Sequence, residues 1–83
     1  MNYIIVEVYL PAAEKTYDIK IPRSSKMWEV TNLITTALSE LSQGLYSATE
    51  DSVLLDRESG SIFNINLSVE ELGLENGSKL MLI

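Results

Sequence analysis

Cysteine and histidine are both absent from the 83 residues of this sequence. Without cysteine, the chain can form no disulfide bond and can carry out no thiol chemistry. Without histidine, it lacks the usual imidazole base, the usual zinc ligand and any Ser-His-Asp triad. These two absences argue against an enzyme or a metalloprotein.

Positive charge is also scarce, since six Lys and Arg residues stand against twelve Asp and Glu, for a net charge of −6. Binding to nucleic acid needs several phosphate contacts from clustered basic residues. Arg23 and Lys26 form the only small basic cluster in the sequence. We therefore expect no nucleic-acid partner and no attraction to anionic membranes, and an acidic surface that favours basic protein partners.

Long apolar segments are missing as well. No apolar run approaches the roughly 20 residues that a membrane-spanning helix requires. Residues 1–11 lack the basic start and the small-residue cleavage site of a signal peptide. The sequence therefore predicts a cytoplasmic protein with no membrane insertion, and its length predicts one domain over residues 1–83 with a modest core.

Two segments near the N-terminus have the alternating pattern of half-buried strands. Residues 3–10 are rich in β-branched and aromatic side chains, and residues 15–21 alternate apolar with polar side chains. The side chains expected to face the core are Ile4, Val6, Val8 and Leu10 in the first segment and Tyr17, Ile19 and Ile21 in the second. A short polar turn separates the segments, which predicts a hairpin.

Residues 26–42 carry the spacing of an amphipathic helix. The apolar stripe comprises Met27, Val30, Ile34, Ala37, Leu38 and Leu41. Ser24 or Ser25 is the expected N-cap, because serine hydroxyls accept hydrogen bonds from the first free N–H groups of a helix. Gly44 is the expected C-cap.

The second half of the chain predicts shorter elements. We expect a strand at 52–56, a turn at 57–61, a short strand or extended piece at 62–66, and a last strand at 78–83. In the last strand, Leu80 and Leu82 share one face, and Met81 and Ile83 share the other.

This order of elements predicts an α+β fold. One main helix must cover one face of a mixed sheet of four to five strands. The first strand is apolar enough to be central, and the long connection allows the last strand to lie parallel beside it. That arrangement is a β-grasp.

The chain resembles ubiquitin along nearly its whole length, in the opening hairpin, the helix "MWEVTNLITTALSEL", the pair "VLLD" and "SIF", and the ending "LSVEELGLENGSKLMLI". In size and in its "TYDIKIP" strand it is more similar to the YukD/EsaB type. These are small ubiquitin-like proteins encoded with the WXG100, or type VII, secretion machinery of Gram-positive bacteria. The resemblance implies a bacterial accessory or regulatory protein that binds other proteins without catalysis. Its partner would be a cytosolic domain of a secretion membrane component or an ATPase.

Ubiquitin and the sulfur carriers act through a flexible tail that ends in two glycines. Here the predicted last strand ends at Ile83, so we expect neither conjugation nor sulfur transfer. Two alternatives stay open. In the first, the chain is a ubiquitin-like or sulfur carrier whose Gly-Gly tail is missing from this sequence. In the second, it is an adaptor domain cut from a larger membrane or signalling protein.

The outer face of the sheet is the main candidate site. The alternation places four apolar side chains on the face opposite the helix, and we predict that they form a protein-binding patch: Ile5, Leu54, Met81 and Ile83. In ubiquitin, the patch that partners contact lies on this face, and Leu54 and Ile83 fall at matching positions. The alternative is scattered surface apolar residues, which are normal. A weak homodimer through this face or an edge strand is also left open.

No other segment predicts a site. Trp28 is expected to lie half-buried over the helix–sheet seam, and the tyrosines to pack on the sheet and its rim. Residues 56–61 lack the twelfth-position acid of a calcium loop, which would fall on Leu67. The adjacent acids Glu50–Asp51 and Glu70–Glu71 are expected to be solvated. We therefore predict no catalytic, cofactor or metal site.

Overall fold

The computed structural model of the chain describes residues 2–49 and 51–83. The elements formed by these residues are β1 (Tyr3–Leu10), β2 (Lys15–Pro22), α1 (Met27–Leu41), β3 (Leu54–Asp56) and β4 (Lys79–Leu82). The strands form one sheet in the order β2-β1-β4-β3. The first strand pairs antiparallel with β2 and parallel with β4, and β3 pairs antiparallel with β4. The expected β-grasp, with a central first strand and a parallel last strand, is confirmed.

The core lies between α1 and one face of the sheet. The predicted inward side chains of β1 are all buried, as are Ile19 and Ile21 of β2 and Leu80 and Leu82 of β4. The helix contributes four fully buried side chains, Met27, Val30, Ile34 and Leu38. Each buried aliphatic side chain of this kind contributes about 1.5–3 kcal/mol of transfer free energy. The alternation and the helical stripe are therefore the main determinants of the fold.

Tyr46 is a core residue that the sequence pattern placed on the rim. Its side chain is buried, and its hydroxyl donates a 2.6 Å hydrogen bond to Ser52 Oγ. The hydroxyl of Ser52 also accepts the Thr49 N–H at 2.9 Å. These bonds anchor the linker between α1 and β3 to the core.

The helix begins differently from the prediction. The N-cap is Lys26, and its N–H donates to Glu29 Oε1 at 3.1 Å. The N–H groups of Met27 and Trp28 donate to carbonyls of the segment 65–67, at 2.9 and 3.2 Å. Neither Ser24 nor Ser25 is the cap, because residues 25 and 26 pair with residues 68 and 69 instead. Backbone carbonyls from a distant segment therefore accept the hydrogen bonds of the first N–H groups of the helix.

The helix also ends earlier than expected. Leu41 is its last residue and Ser42 is the C-cap. Gln43 and Gly44 follow with positive φ angles of 56° and 84°, and the Gly44 N–H donates to Ser39 O at 3.2 Å. Gly44 therefore reverses the chain just after the cap, where a left-handed conformation favours glycine.

The third strand is shorter than predicted, and the segment 62–66 is not a strand. It contributes a single bridge between Ile62 and Leu55. The described residues therefore give a sheet of four strands. The predicted turn at 57–61 is confirmed, since the Gly60 N–H donates to Asp56 O at 2.8 Å and closes it.

Candidate outer-face binding site

The outer face of the sheet, opposite α1, is organised in rows that cross the strands. Residues that pair across neighbouring strands point to the same side of a sheet. The register therefore gives three rows: Thr16, Tyr9, Met81 and Leu55; then Asp18, Glu7 and Lys79; then Lys20 and Ile5. The first row is largely apolar, and the second is charged.

One half of this face is apolar, and we call Tyr9, Leu55, Met81 and Ile83 the apolar half. Ile83 is 54% exposed, while Tyr9 and Met81 are partly exposed. The Arg57 guanidinium lies over the Tyr9 ring, 4.4 Å from its centroid. Cation–π contacts of this kind are worth about 0.5–1 kcal/mol at exposed sites. The contact holds a positive charge at the edge of the apolar half.

Leu54 does not lie on the outer face, so that part of the prediction is wrong. Its side chain is only 4% exposed and belongs to the core. Leu54 pairs with Leu82, which is fully buried, whereas Leu55 pairs with Met81. Two adjacent leucines fit either alternation, and the pairing of β3 with β4 decides which one faces the helix. Leu55 takes the outer side of β3 that was assigned to Leu54, but it is only 6% exposed and adds little accessible surface.

Ile5 lies on the outer face as predicted and is 50% exposed, but it is separated from the apolar half. Glu7 and Lys79 pair side by side in the row between Ile5 and Met81. The expected contiguous patch of four apolar residues is therefore wrong in its geometry. The binding role of Ile5, Met81 and Ile83 stays a prediction.

An open groove of about 760 Å³ surrounds Ile5 at the other end of this face. Its lining residues are Asn2, Tyr3, Ile4, Ile5, Glu7, Asp18, Lys20, Asn76 and Gly77. The Lys20 Nζ lies 4.8 Å from the centroid of the Tyr3 ring, which holds this lysine at one wall. The groove therefore combines apolar, aromatic and carboxylate groups, which is the usual chemistry of a small recognition site.

The loop before β4 closes one side of this groove through hydrogen bonds to β1. The Ile5 N–H donates to Asn76 Oδ1 at 2.8 Å, and the Gly77 N–H donates to Ile5 O at 2.9 Å. The Glu7 N–H donates to Ser78 O at 2.9 Å. Gly77 has a φ of +87°, which favours glycine. The sequence indicated only a turn here, and no local signal revealed that Asn76 bonds to the central strand.

Two carboxyl groups away from these rows have lowered pKa values. Hydrogen bonds from the side chain and backbone of Ser59 lower the pKa of Asp56. Hydrogen bonds from the backbone and hydroxyl of Ser68, followed by the charge of Lys26, lower the pKa of Glu71. The Lys26 Nζ lies 3.6 Å from Glu71 Oε1. In both cases, the main cause is a serine in the same turn that hydrogen-bonds to the carboxylate.

Trp28 and the adjacent acidic residues do not form a further site among the described residues. Trp28 is 50% exposed beside the segment 65–67. Asp51, Glu70 and Glu71 are exposed, and Glu50 lies outside the described residues. Within residues 2–49 and 51–83, no three or more Asp and Glu side chains converge as metal ligands would. In the same residues, no helix has the length and apolarity needed to cross a membrane.

Solved structures share this architecture over 96–100% of the chain. The ubiquitin-like domain of the Mycobacterium tuberculosis type VII secretion system protein EccD1 matches with a TM-score of 0.77 and 17% identity, covering 100% of this chain and 99% of that one. The chain has the ubiquitin-like fold. The ubiquitin-like domain of Plasmodium falciparum Dsk2 matches with a TM-score of 0.73 and 14% identity, over 96% of this chain and 95% of that one.

The ubiquitin-like fold also occurs in proteins of other function. One chain of the toluene 4-monooxygenase HD complex with 4-bromobenzoate matches with a TM-score of 0.80 and 10% identity, over 96% and 95% of the two chains. No protein-family model matches the sequence, and a search of curated proteins finds no significant match. At such identities the structural matches establish the fold, and the function has to be argued from the site.

Proposed function

We propose that residues 1–83 act as a single, non-catalytic ubiquitin-like domain that binds other proteins non-covalently through the outer face of its sheet. In this proposal the protein is a cytoplasmic accessory or regulatory component of a Gram-positive type VII secretion system. Its partner is the cytosolic part of a secretion membrane component or an ATPase. The match to the EccD1 domain, end to end in both chains, is the observation that carries this proposal.

The apolar half of the outer face supports the binding part of the proposal. Met81 of β4 pairs with Tyr9, and Ile83 follows directly after the same strand. The backbone of Ile83 exchanges two 3.0 Å hydrogen bonds with Val53, which fixes its position at the end of the sheet. A rigid apolar surface with an aromatic side chain can bind a partner at low cost in conformational entropy.

A first test is genetic. If the proposal holds, the gene lies beside genes for small WXG100 proteins and an FtsK/SpoIIIE-type ATPase, and its deletion lowers secretion of those proteins. Unchanged secretion after deletion would contradict the assignment to this system.

A second test is biochemical and uses the purified cytosolic domains encoded at that locus. Titration of one of them into the ¹⁵N-labelled protein should shift the amide signals of Tyr9, Met81 and Ile83. Met81→Asp and Ile83→Asp should weaken binding by about tenfold or more, since a charge would be buried at an apolar contact. Ile62→Asp is a matched control, because Ile62 is exposed but lies outside the apolar half. An equal loss of binding affinity in all three variants would contradict a specific role for this face.

The alternative of a carrier with a Gly-Gly tail has its own test. Intact-mass measurement of the endogenous protein determines whether the native chain continues past residue 83. A Gly-Gly ending, together with adenylation by an activating enzyme, would replace the proposal of non-covalent action.

A further inference from the structure

Two carboxylates, those of Glu7 and Asp18, line the groove around Ile5. Glu7 and Asp18 pair directly across β1 and β2, so both side chains project from the same face. Lys79 pairs with Glu7 across β1 and β4, but among the described residues no cation lies within ion-pair distance of either carboxylate. Lys20, which also lines the groove, lies over the Tyr3 ring.

This arrangement has an energetic consequence. Like charges that face each other directly across two strands destabilise the pair. A cation placed between the two carboxylates would reverse that repulsion and form two charge-assisted hydrogen bonds. The net charge of −6 adds a favourable long-range field for a cationic partner and opposes an anion or a second copy of this chain.

The apolar walls restrict which cation fits. Ile5 is half-exposed beside the carboxylates, and Tyr3 is 47% exposed at the end of the groove. An aliphatic stem could pack on Ile5 while its charged end reaches Glu7 and Asp18. A volume of about 760 Å³ accommodates one large side chain together with the backbone that carries it. A bare metal ion would leave these apolar walls unused.

Arginine fits this set of groups better than lysine. Its planar guanidinium carries five donors and can bridge two carboxylates, and it is more weakly hydrated than an ammonium group. Directly opposed residues of an antiparallel pair have Cβ atoms about 5 Å apart, so one guanidinium can contact both carboxylates. Lysine offers a compact, strongly hydrated charge with no fixed planar geometry.

We propose that this groove binds an arginine side chain from a basic, extended segment of a partner protein, with the guanidinium between Glu7 and Asp18 and the methylene stem on Ile5. This inference rests on the proposed function, because it specifies the chemistry of the partner that docks on the outer face. It adds a charged contact at the opposite end of that face from Met81 and Ile83.

The test uses short synthetic peptides, acetylated and amidated, in which arginine alternates with valine. Two matched peptides replace arginine with lysine or with citrulline, which has nearly the same shape without the charge. Each peptide is titrated into the ¹⁵N-labelled protein at low and at moderate salt. The arginine peptide should shift the amide signals of Ile5, Glu7, Asp18 and Gly77, and should bind at least about threefold more tightly than the lysine peptide and about tenfold more tightly than the citrulline peptide.

Variants locate the contact. The double variant Glu7→Gln/Asp18→Asn should lose about tenfold or more in affinity for the arginine peptide. Glu58→Gln/Glu70→Gln removes the same number of charges at exposed positions outside the groove and should change the affinity less than about twofold. The dispersion of the amide spectra checks that all variants are folded.

Three results would overturn the inference: no shifts in the groove at millimolar peptide, equal affinity for the arginine and lysine peptides, or equal loss in the two double variants. These results are separable from failure of the proposed function. If the peptides bind as expected but the domains encoded at the secretion locus do not, the groove chemistry stands and the secretion assignment fails.

Discussion

Glu7 and Asp18 oppose each other directly across the antiparallel pair of β1 and β2. Their surroundings differ, because Glu7 lies in the central strand with Lys79 paired on its other side. Asp18 lies in β2, which is an edge strand of the sheet formed by the described residues. The repulsion between the two carboxylates is therefore only partly offset, and it is concentrated at the edge of the sheet.

Removing the charge of Asp18 should stabilise the free protein. Asp18→Asn relieves a like-charge pair and keeps the size of the side chain, so we expect a gain of about 0.5 kcal/mol in the free energy of unfolding at low salt. The gain should shrink as salt is added, since exposed charges are screened. Urea denaturation at low and high salt measures it.

The control for this experiment is Glu58→Gln, which makes the same change in net charge in an exposed turn. An equal gain in that variant would show that net charge, and not the pair with Glu7, limits stability.

The corrected position of Leu54 gives a large expected effect on stability. Leu54→Ala should lower the free energy of unfolding by about 2–4 kcal/mol, because it removes a fully packed side chain from the core and leaves a cavity. For a domain of this size, that loss amounts to a large part of the total stability. Thermal and urea denaturation measure it.

Ile83→Ala serves as the comparison, because Ile83 is more than half exposed. We expect a cost of about 0.5 kcal/mol or less. Equal costs at the two positions would mean that Leu54 does not occupy the core. It follows that Leu54→Asp would unfold the protein and cannot test binding, whereas Met81→Asp and Ile83→Asp can.

The parts of the fold with strong periodicity were predictable from the sequence. In β1, the side chains of Ile4, Val6 and Val8 alternate with outward residues, and each is buried as the pattern requires. The stripe through Met27 and Ile34 likewise placed the helix to within one residue at each end. In these segments, burial on one face fixes the register, so local pattern and tertiary structure agree.

The parts decided by long-range pairing were not predictable. The adjacent leucines at 54 and 55 fit either face, and only pairing with β4 separates them. Lys26 became the helix cap because residues 65–69 return beside it. The direct opposition of Glu7 and Asp18 depends on which residues of β1 and β2 pair, because a shift of two residues would keep the same faces and change the partners. The candidate groove therefore became visible only in the folded chain.

Glu71 should make stability depend on pH. Its carboxylate accepts the Ser68 N–H at 2.9 Å, and its own N–H donates to Ser68 Oγ at 3.1 Å. The hydrogen bonds that the carboxylate accepts from the backbone and hydroxyl of Ser68, followed by the charge of Lys26, lower the pKa of Glu71 in the folded state, so they stabilise the protein above the pKa of the unfolded state. That contribution is lost as pH falls through the lowered pKa. Glu71→Gln should therefore be less stable than the wild type at neutral pH, and the difference should shrink in acid.

Glu70→Gln is the matched control, because Glu70 is an exposed neighbour in the same turn. Melting temperatures of the three proteins from neutral to acidic pH provide the measurement. A difference between wild type and Glu71→Gln that stays constant with pH would contradict the role of the carboxylate.

Asn76 should be protected from deamidation in the folded protein. The reaction requires the Gly77 backbone nitrogen to attack the side-chain carbonyl carbon of Asn76, with loss of ammonia and then hydrolysis of the succinimide by water. In the structure, the Gly77 N–H donates to Ile5 O and Asn76 Oδ1 accepts the Ile5 N–H, so both groups are bonded to the central strand. Attack therefore requires local opening of the loop.

We expect deamidation at Asn76 to be at least about tenfold slower in native buffer than in urea at the same pH and temperature, since opening is rare in the native state. Peptide mapping by mass spectrometry, with separation of aspartate from isoaspartate, measures both rates. Val6→Ala provides a graded control, because it destabilises the core without touching the loop and should raise the native rate. If wild-type rates in native buffer and in urea were equal, the two hydrogen bonds to Ile5 would not restrain the Asn-Gly turn. The loop that closes the groove would then be open in solution.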